Sequence, residues 1–468
     1  MKIKFILPAL VEARGPDWRS IKYALFPPLG LATLAGYIDD RDQTIIQDEH
    51  VEKIDLDDDP DIVAIQVYIT NASRAYEVAD HYRGQGVYVV LGGLHVATRP
   101  LEALRHADSL VLGPAEEAWP RFLTDFRAGR PARIYRSQTR SLVGEPRPRR
   151  DLIQRHLYLA PNSMVVSRGC PHHCDFCYKD SFFQGGRSFY RRAVDEALAE
   201  IDALPGRHLF FLDDHLFGDP LFASALFDGM RGMGRVWQAA GTVGAALKPG
   251  LLEKAAASGL RSLFVGFETL SQNNLSAQRK SHNLGLDYNR AVDRLHDLGV
   301  MVNGSFVFGM DDDDEDVFER TVAWAVSMGI ETATFHILTP YPGTALYRRM
   351  LAERRLLIHD WGVYDTRHAV FQPARMTPQA LEEGYWRAYE QFYSWESILR
   401  SAGTKRGTLD QLRHLAYTGG WKKVEPLWEA VIRAGQVTRM LPLLEVLLAG
   451  GYGGRKGVVE RATDAALV

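Results

Sequence analysis

Cysteine is almost missing from this sequence: there are three in 468 residues, and Cys170, Cys174 and Cys177 all lie within residues 167–180. Such an odd, crowded set excludes a disulfide framework, which takes cysteines in even number and spreads them along the chain. Long apolar runs are missing as well. A bilayer span takes about 18 to 20 apolar residues; the nearest candidate, residues 440–449, is short and broken by Pro442 and Glu445. The apolar stretch at the N-terminus is too short for a signal peptide and runs straight into Glu12. Nor is one charge in excess. The 55 basic and 58 acidic side chains leave a net charge of −3, with no basic footprint for nucleic acid. These absences lead us to expect a cytoplasmic chain with no membrane span and no nucleic-acid partner. What is present, 46% hydrophobic and 24% charged residues, is the composition of a globular protein. The length suits two or three domains.

Element patterns divide the chain. Short apolar runs at residues 2–8, 43–47, 61–67, 87–91 and 110–112 read as strands. Residues 29–38, entered through Pro27 and Pro28, residues 72–83 and a segment from about 116 read as helices. Alternation of the two implies a parallel sheet, so residues 1–130 are expected to form a Rossmann-like α/β domain. Residues 131–158, within a stretch rich in Arg and Pro, are expected to be a solvated linker.

A second series occupies residues 159–345, with strands at 163–167, 208–212, 236–241, 262–266, 301–308 and 332–338. Amphipathic helices lie between them, for example at 193–204, 287–298 and 314–328. Six strand–helix units make a partial (β/α)6 barrel, whose chemistry belongs at the C-terminal ends of its strands. The acidic run at 311–316 precedes a helix, where carboxylates favour the positive end. Residues 346–468 show no further strand series and are expected to form a helical C-terminal region covering the barrel mouth. Its aromatics Tyr385, Trp386, Tyr389, Phe392, Tyr393 and Trp395 recur at helical spacing, which marks a core face more often than a pocket lining.

The three cysteines follow an expected strand, on the first loop at the active end of the barrel. Their C-x3-C-x2-C spacing lets each thiolate take one iron of a cubane. The fourth iron is then open, as in a catalytic metal site. S-adenosylmethionine (SAM) can occupy that corner through its amino and carboxylate groups, and one electron then cleaves the sulfonium to a 5′-deoxyadenosyl radical. The alternative is a zinc site completed by His172, His173 or His215. The two histidines inside the loop would need a strained geometry to come round as fourth ligand.

This spacing, with the aromatic Phe176 just before the last cysteine, resembles the signature of the radical SAM superfamily. FPPLGLATLAGYI near the start, VVLGGLH at 89–95, ADSLVLGPAEEAWP at 107–120 and LTPYPGT at 338–344 are similar to its branch with a B12-binding domain. That branch includes C- and P-methylases and the anaerobic magnesium-protoporphyrin cyclase. The likeness covers nearly the whole chain, with one departure: Gly113-Pro114-Ala115-Glu116 stands where relatives commonly read Gly-Glu-Gly-Glu.

The resemblance implies a [4Fe-4S] cluster on the three cysteines, SAM and cobalamin. It places Asp213, Asp214 and His215 against SAM or substrate as candidate catalytic residues, the aspartates being helix caps in the other reading. It implies that Glu268 reaches polar groups of SAM; a salt bridge to Lys280 or Arg279 is the alternative. Gly304, Phe306 and Gly309 resemble the fifth-strand segment that packs on adenine, and Leu338 follows the sixth strand. Arg191 and Arg192 suit either a carboxylate or the surface of a helix start. In the first domain, Gly92 and Gly93 are where backbone can approach a nucleotide tail. The loop after the first strand has no histidine, and Asp48-Glu49-His50 lacks the glycine of the cobalt-ligating motif, so it reads as a polar loop. Cobalt would then have no histidine ligand, as in methylases of this branch. An inherited but empty domain stays the alternative.

These readings converge on methylation of an unactivated carbon or phosphorus in a small molecule, with a reductant such as flavodoxin or ferredoxin. A radical SAM cyclase or rearrangement enzyme is the alternative. Methylthio transfer requires a second cysteine cluster, for which no cysteines remain.

Overall fold

A computed structural model of the chain describes residues 1–13, 24–138, 140–184, 188–422 and 431. The apolar stretch at 440–449 lies outside the described residues. Among those described, no helix is long and apolar enough to cross a membrane.

Short β-rich runs alternating with helices build the first sheet from β1 (Lys2–Leu7), β2 (Gln43–Asp48), β3 (Ile62–Gln66), β4 (Tyr88–Gly92), β5 (Ser109–Leu112) and β6 (Ile134–Arg136). All pair in parallel, in the order β2-β1-β3-β4-β5-β6. Both faces are covered, which is why the central strands β3, β4 and β5 are largely apolar. Ile3, Phe5 and Val90 pack with Trp119 and Phe122, while Ile6, Val63 and Leu91 pack with Ala75, Ala79 and Tyr82 of the helix Ala72–Gly84. The order reverses at β1, and a crevice opens at the C-terminal ends of β1 and β3. The expected Rossmann-like architecture is present.

β6 lies inside the stretch read as linker. Tyr135 is buried, its ring 5.5 Å from that of Phe122, and its hydroxyl accepts from the Ala132 amide. A three-residue strand among arginines carries too little periodicity to stand out. Nor is the rest of the connector simply solvated, because Arg150 reaches the buried Glu200 at 2.7 Å.

The second unit contains β7 (Ser163–Met164), β8 (Ser167–Gly169), β9 (Phe189–Arg191), β10 (His208–Phe211), β11 (Val236–Gly241), β12 (Leu260–Glu268), β13 (Met301–Phe308) and β14 (Thr332–Ile337). Six of these form a parallel sheet in the order β14-β13-β12-β11-β10-β7, each beside its successor, which is the partial barrel. β8 leaves it to pair antiparallel with β9, so the strand expected at 163–167 is split. Side chains alternate across the barrel wall. Phe267, Phe306, Phe308 and Phe335 form an outer ring stack, with Trp324 against Phe267 and Phe306. The opposite set, including Ser305, Val307, Thr334 and His336, faces the bore.

The helix Pro378–Phe392 runs along the free edge of β14 rather than over the mouth. The Tyr393 and Tyr389 hydroxyls accept from the Ala333 and Phe335 amides and donate to the same residues' carbonyls. A sheet edge is thereby closed by phenols. Tyr385, Phe392 and Tyr393 are core, whereas Trp386 and Trp395 stand 53% and 56% exposed. The acidic run also departs from expectation. Asp311 pairs with Arg349 and Arg355, Asp312 with Arg375, and buried Asp313 accepts from the Gly309 and Met310 amides and from Asn274. These are tertiary ties, and the helix itself starts later, at Val317.

Candidate functional site

The cysteine loop is framed by the β8–β9 ribbon. Gly169, at φ +79°, makes this possible: a Cβ there would lie 1.9 Å from the Ser188 carbonyl. The Cys170 amide donates to that same carbonyl at 3.2 Å. Further on, the Asp175 amide donates to the Gln278 carbonyl, and the Leu346 amide to the Asp175 carbonyl, so later barrel loops pin the turn. Lys179, 2% exposed, donates to the Cys170 carbonyl at 2.8 Å. Phe176 packs, partly buried, on the barrel core.

Burial pushes the Cys174 thiol up to about 11 and the Cys177 thiol up to about 12. Thiols held this way give up their protons to a metal when one binds. Among the described residues, no three His, Cys, Asp or Glu side chains gather as ligands of a single ion do. Cubane ligands each serve a separate iron, and three thiols on one loop fit such a cluster. Two of the zinc candidates have other contacts. His173 meets Asp180 at 3.0 Å, and the His172 ring stacks on His282 at 3.7 Å, 5.6 Å from His215. Burial lowers His215 to about 4 and His282 to about 3, so both imidazoles are neutral at pH 7.

Asp213 and Asp214 cap no helix; Asp219 does that for Pro220–Met230. Asp213 accepts from the Val166 and Ser167 amides and from the Ser167 hydroxyl. Asp214 accepts from the Gly169 amide at 3.0 Å and the Tyr178 hydroxyl at 2.7 Å. Both therefore hold the two ends of the cysteine loop. His215 is buried beside them, its Nδ1 without a partner among the described residues.

Glu268 ends β12 at φ +64°, where the register with β13 shifts. A non-glycine residue at positive φ stores strain, which an active site can use to aim a side chain. Its Oε1 accepts from Lys280 Nζ at 2.7 Å. Gly266 leaves room for the carboxylate, which would stand 2.5 Å from a Cβ there.

The fifth-strand expectation is corrected by strand parity. Phe306 is wholly buried in the outer ring stack, and Gly304 packs beneath its ring. The side chains turned to the bore are Ser305 and Val307. Gly309 at φ +94° leaves room for Leu381, 2.7 Å from the place of a Cβ, and Leu338 is core. Arg192 is buried on Glu200 and Arg191 pairs with Asp219, so neither stands open for a carboxylate.

The C-terminal edges of the two sheets meet across a cavity of about 410 Å³. The first domain contributes Leu10, His50, Tyr68 and His95, and the second contributes Tyr178, Tyr341 and Tyr364. His50 is engaged on both ring nitrogens, with Asp48 and with the Leu10 amide, in keeping with a polar loop. A second cavity, under the edge of the first sheet, is lined by Gly92, Gly93, Leu31, Val90, Val111 and Trp119. Gly93 holds φ +117°, where a Cβ would stand 2.6 Å from the Val67 carbonyl. This cradle of bare backbone over an apolar slot suits the tail of a large cofactor, so the residues present fit a corrinoid. Sequence reasoning passed over Tyr178 and Lys179, although adjacency to Cys177 was a usable signal. Tyr364 carried none.

Residues 164–325 match the family model for the radical SAM superfamily, and residues 23–123 match that for the B12 binding domain. Bacteriochlorophyllide d C-12(1)-methyltransferase of Chlorobaculum tepidum is 29% identical over 353 residues, 73% of this chain and 76% of its own length. The C-8(2)-methyltransferase of the same organism is 28% identical over 376 residues, 75% of this chain and 82% of its own. Among solved structures, the cobalamin-dependent SAM radical enzyme OxsB, with aqua-cobalamin and SAM bound, aligns with a TM-score of 0.66 at 13% identity. The alignment spans 100% of this chain and 81% of that one. At that identity the likeness is one of fold.

Proposed function

We propose, from the premise that this chain is a radical SAM enzyme with a B12-binding domain ahead of its barrel, that it methylates an unactivated carbon or phosphorus centre of a small molecule in a cobalamin-dependent reaction. One observation carries the reading: the C-terminal edges of both sheets face a single cavity, and Tyr178, next to Cys177, stands in its wall. Two relatives matched over about three-quarters of the chain are both named as methyltransferases, which favours methyl transfer over the cyclase or rearrangement reading.

Cys170, Cys174 and Cys177 would hold a [4Fe-4S] cluster, which would supply one-electron reduction of SAM, and a bound corrinoid would supply methyl-transfer chemistry. The chain's own residues bind and orient. Asp213 and Asp214 hold the loop that carries the thiolates. The Lys280–Glu268 pair sets one carboxylate at the mouth with its charge already balanced, ready to accept from polar groups of SAM. Tyr68, Tyr178, Tyr341 and Tyr364 wall the interdomain space with aromatic surface. An external reductant of the flavodoxin or ferredoxin class would feed the cluster.

Anaerobic reconstitution with iron, sulfide, SAM, reductant and hydroxocobalamin tests the proposal. It should give about four irons per chain, 5′-deoxyadenosine, S-adenosylhomocysteine once an acceptor is supplied, and corrinoid that stays bound through gel filtration. Iron and deoxyadenosine without corrinoid would remove the methylase reading and leave the radical one. Tetrahedral zinc and intact SAM would remove both.

A further inference from the structure

The slot beneath Gly92 and Gly93 is apolar on its floor, but one wall comes from elsewhere in the chain: Glu145 of the connector and Arg168 of β8. Arg168 pairs with Glu116, of the loop after β5, at 2.5 Å and stands 3.7 Å from Glu145 Oε1. The Glu145 side chain is 6% exposed, and its Oε1 has no hydrogen-bond partner among the described residues. A buried carboxyl oxygen is rarely left so, and one that is calls for a missing donor or acceptor. The space is about 130 Å³, close to the roughly 150 Å³ that admits one aromatic ring. Apolar faces with a single polar wall match a flat ring whose polarity is confined to one edge.

With the base of a corrinoid's nucleotide tail in this slot, we propose that Glu145 recognises the ring nitrogen of that base. Glu145 is then a specificity residue contributed by the connector, and it distinguishes corrinoids by what their tail carries. The inference rests on the reading that the B12-type domain is loaded. Burial brings Glu145 to about 7, so at neutral pH its carboxyl meets a bare ring nitrogen as an O–H donor or a protonated one as an acceptor. The charged neighbours are Glu116, Arg168, Arg192 and Glu200, with the Arg168 guanidinium 3.7 Å from Oε1.

The test is equilibrium binding of three corrinoids to the full chain, followed by their visible spectra: cobalamin, a phenolyl form whose ring base lacks nitrogen, and cobinamide, which has no base. The parent should bind cobalamin about tenfold tighter than the phenolyl form, the 1.4 kcal/mol of one net hydrogen bond. Glu145→Leu should lose that tenfold and leave cobinamide affinity unchanged, which also shows that the variant is folded. Equal binding of cobalamin by parent and variant would overturn the assignment alone. So would a uniform loss across all three corrinoids. A parent that binds no corrinoid would overturn the loaded domain along with it.

Discussion

Replacing Asp213 by alanine is expected to strip the chain of its cluster-holding ability through geometry, not chemistry. The carboxylate is 3% exposed and gathers three donors, the Val166 amide, the Ser167 amide and the Ser167 hydroxyl at 2.6 Å. Alanine leaves all three in dry surroundings. Each unmade buried hydrogen bond costs about 1–3 kcal/mol, so the three together cost about 3–6 kcal/mol once water enters part of the gap. That is a large share of the roughly 5–15 kcal/mol that holds a domain folded. It falls on β8, the strand that delivers Cys170. Asn keeps the volume and one accepting oxygen and should cost about 1–2 kcal/mol. Calorimetry of the apo chain should show Tm falling by about 10 °C or more for Asp213→Ala and by a few degrees for Asp213→Asn. Iron per chain after anaerobic reconstitution should fall in the same order. An alanine variant that melts with the parent, takes up full iron and yet makes no deoxyadenosine would refute this reasoning and make Asp213 a catalytic group.

Three further outcomes are expected. Gly266→Ala sets a methyl 2.5 Å from Glu268 Oε1 and should break the Lys280 pair, weakening SAM binding by calorimetry at least tenfold while iron content holds. Burial raises Asp313 from 3.8 to about 7, so the folded state binds its proton more tightly than the unfolded one. Its contribution to stability is therefore complete below about pH 4 and lost as pH rises through about 7, by about 4 kcal/mol at most. Asp313→Asn should flatten that part of the urea-midpoint profile between pH 4 and 8. Tyr393→Phe removes the hydroxyl that serves both Ala333 backbone groups and should cost about 1–3 kcal/mol by urea titration, exposing the β14 edge to faster amide exchange.

What could be read in advance was whatever repeats or crowds. Apart from β6, the strands of both sheets announce themselves as short runs between polar ends, and the thiols by their spacing. Parity was harder. Which face Gly304 and Phe306 occupy depends on where the outer aromatic stack forms, and that is a tertiary fact. The same limit hid β6, whose Tyr135 is a core residue only because Phe122 is there to meet it. The acidic run looked like helix-start electrostatics because a helix does follow. Its partners Arg349, Arg355 and Arg375 are 38 or more residues away, and nothing local points to them.

Specific polar ties link the two units. Arg168 reaches Glu116, Arg99 donates to the Tyr347 hydroxyl at 2.7 Å and lies over the Trp361 ring, and Trp361 Nε1 donates to Glu102. Buried ion pairs add little net stability once desolvation is counted, yet breaking one is costly because its partner is stranded. Ties of this kind are poor at holding two domains together and good at allowing one arrangement only. That suits a chain whose chemistry needs a thiolate loop and a sheet edge kept at a constant separation. Because Arg168 sits two residues before Cys170, its pair with Glu116 ties the loop after β5 to the strand that leads into the cysteine loop.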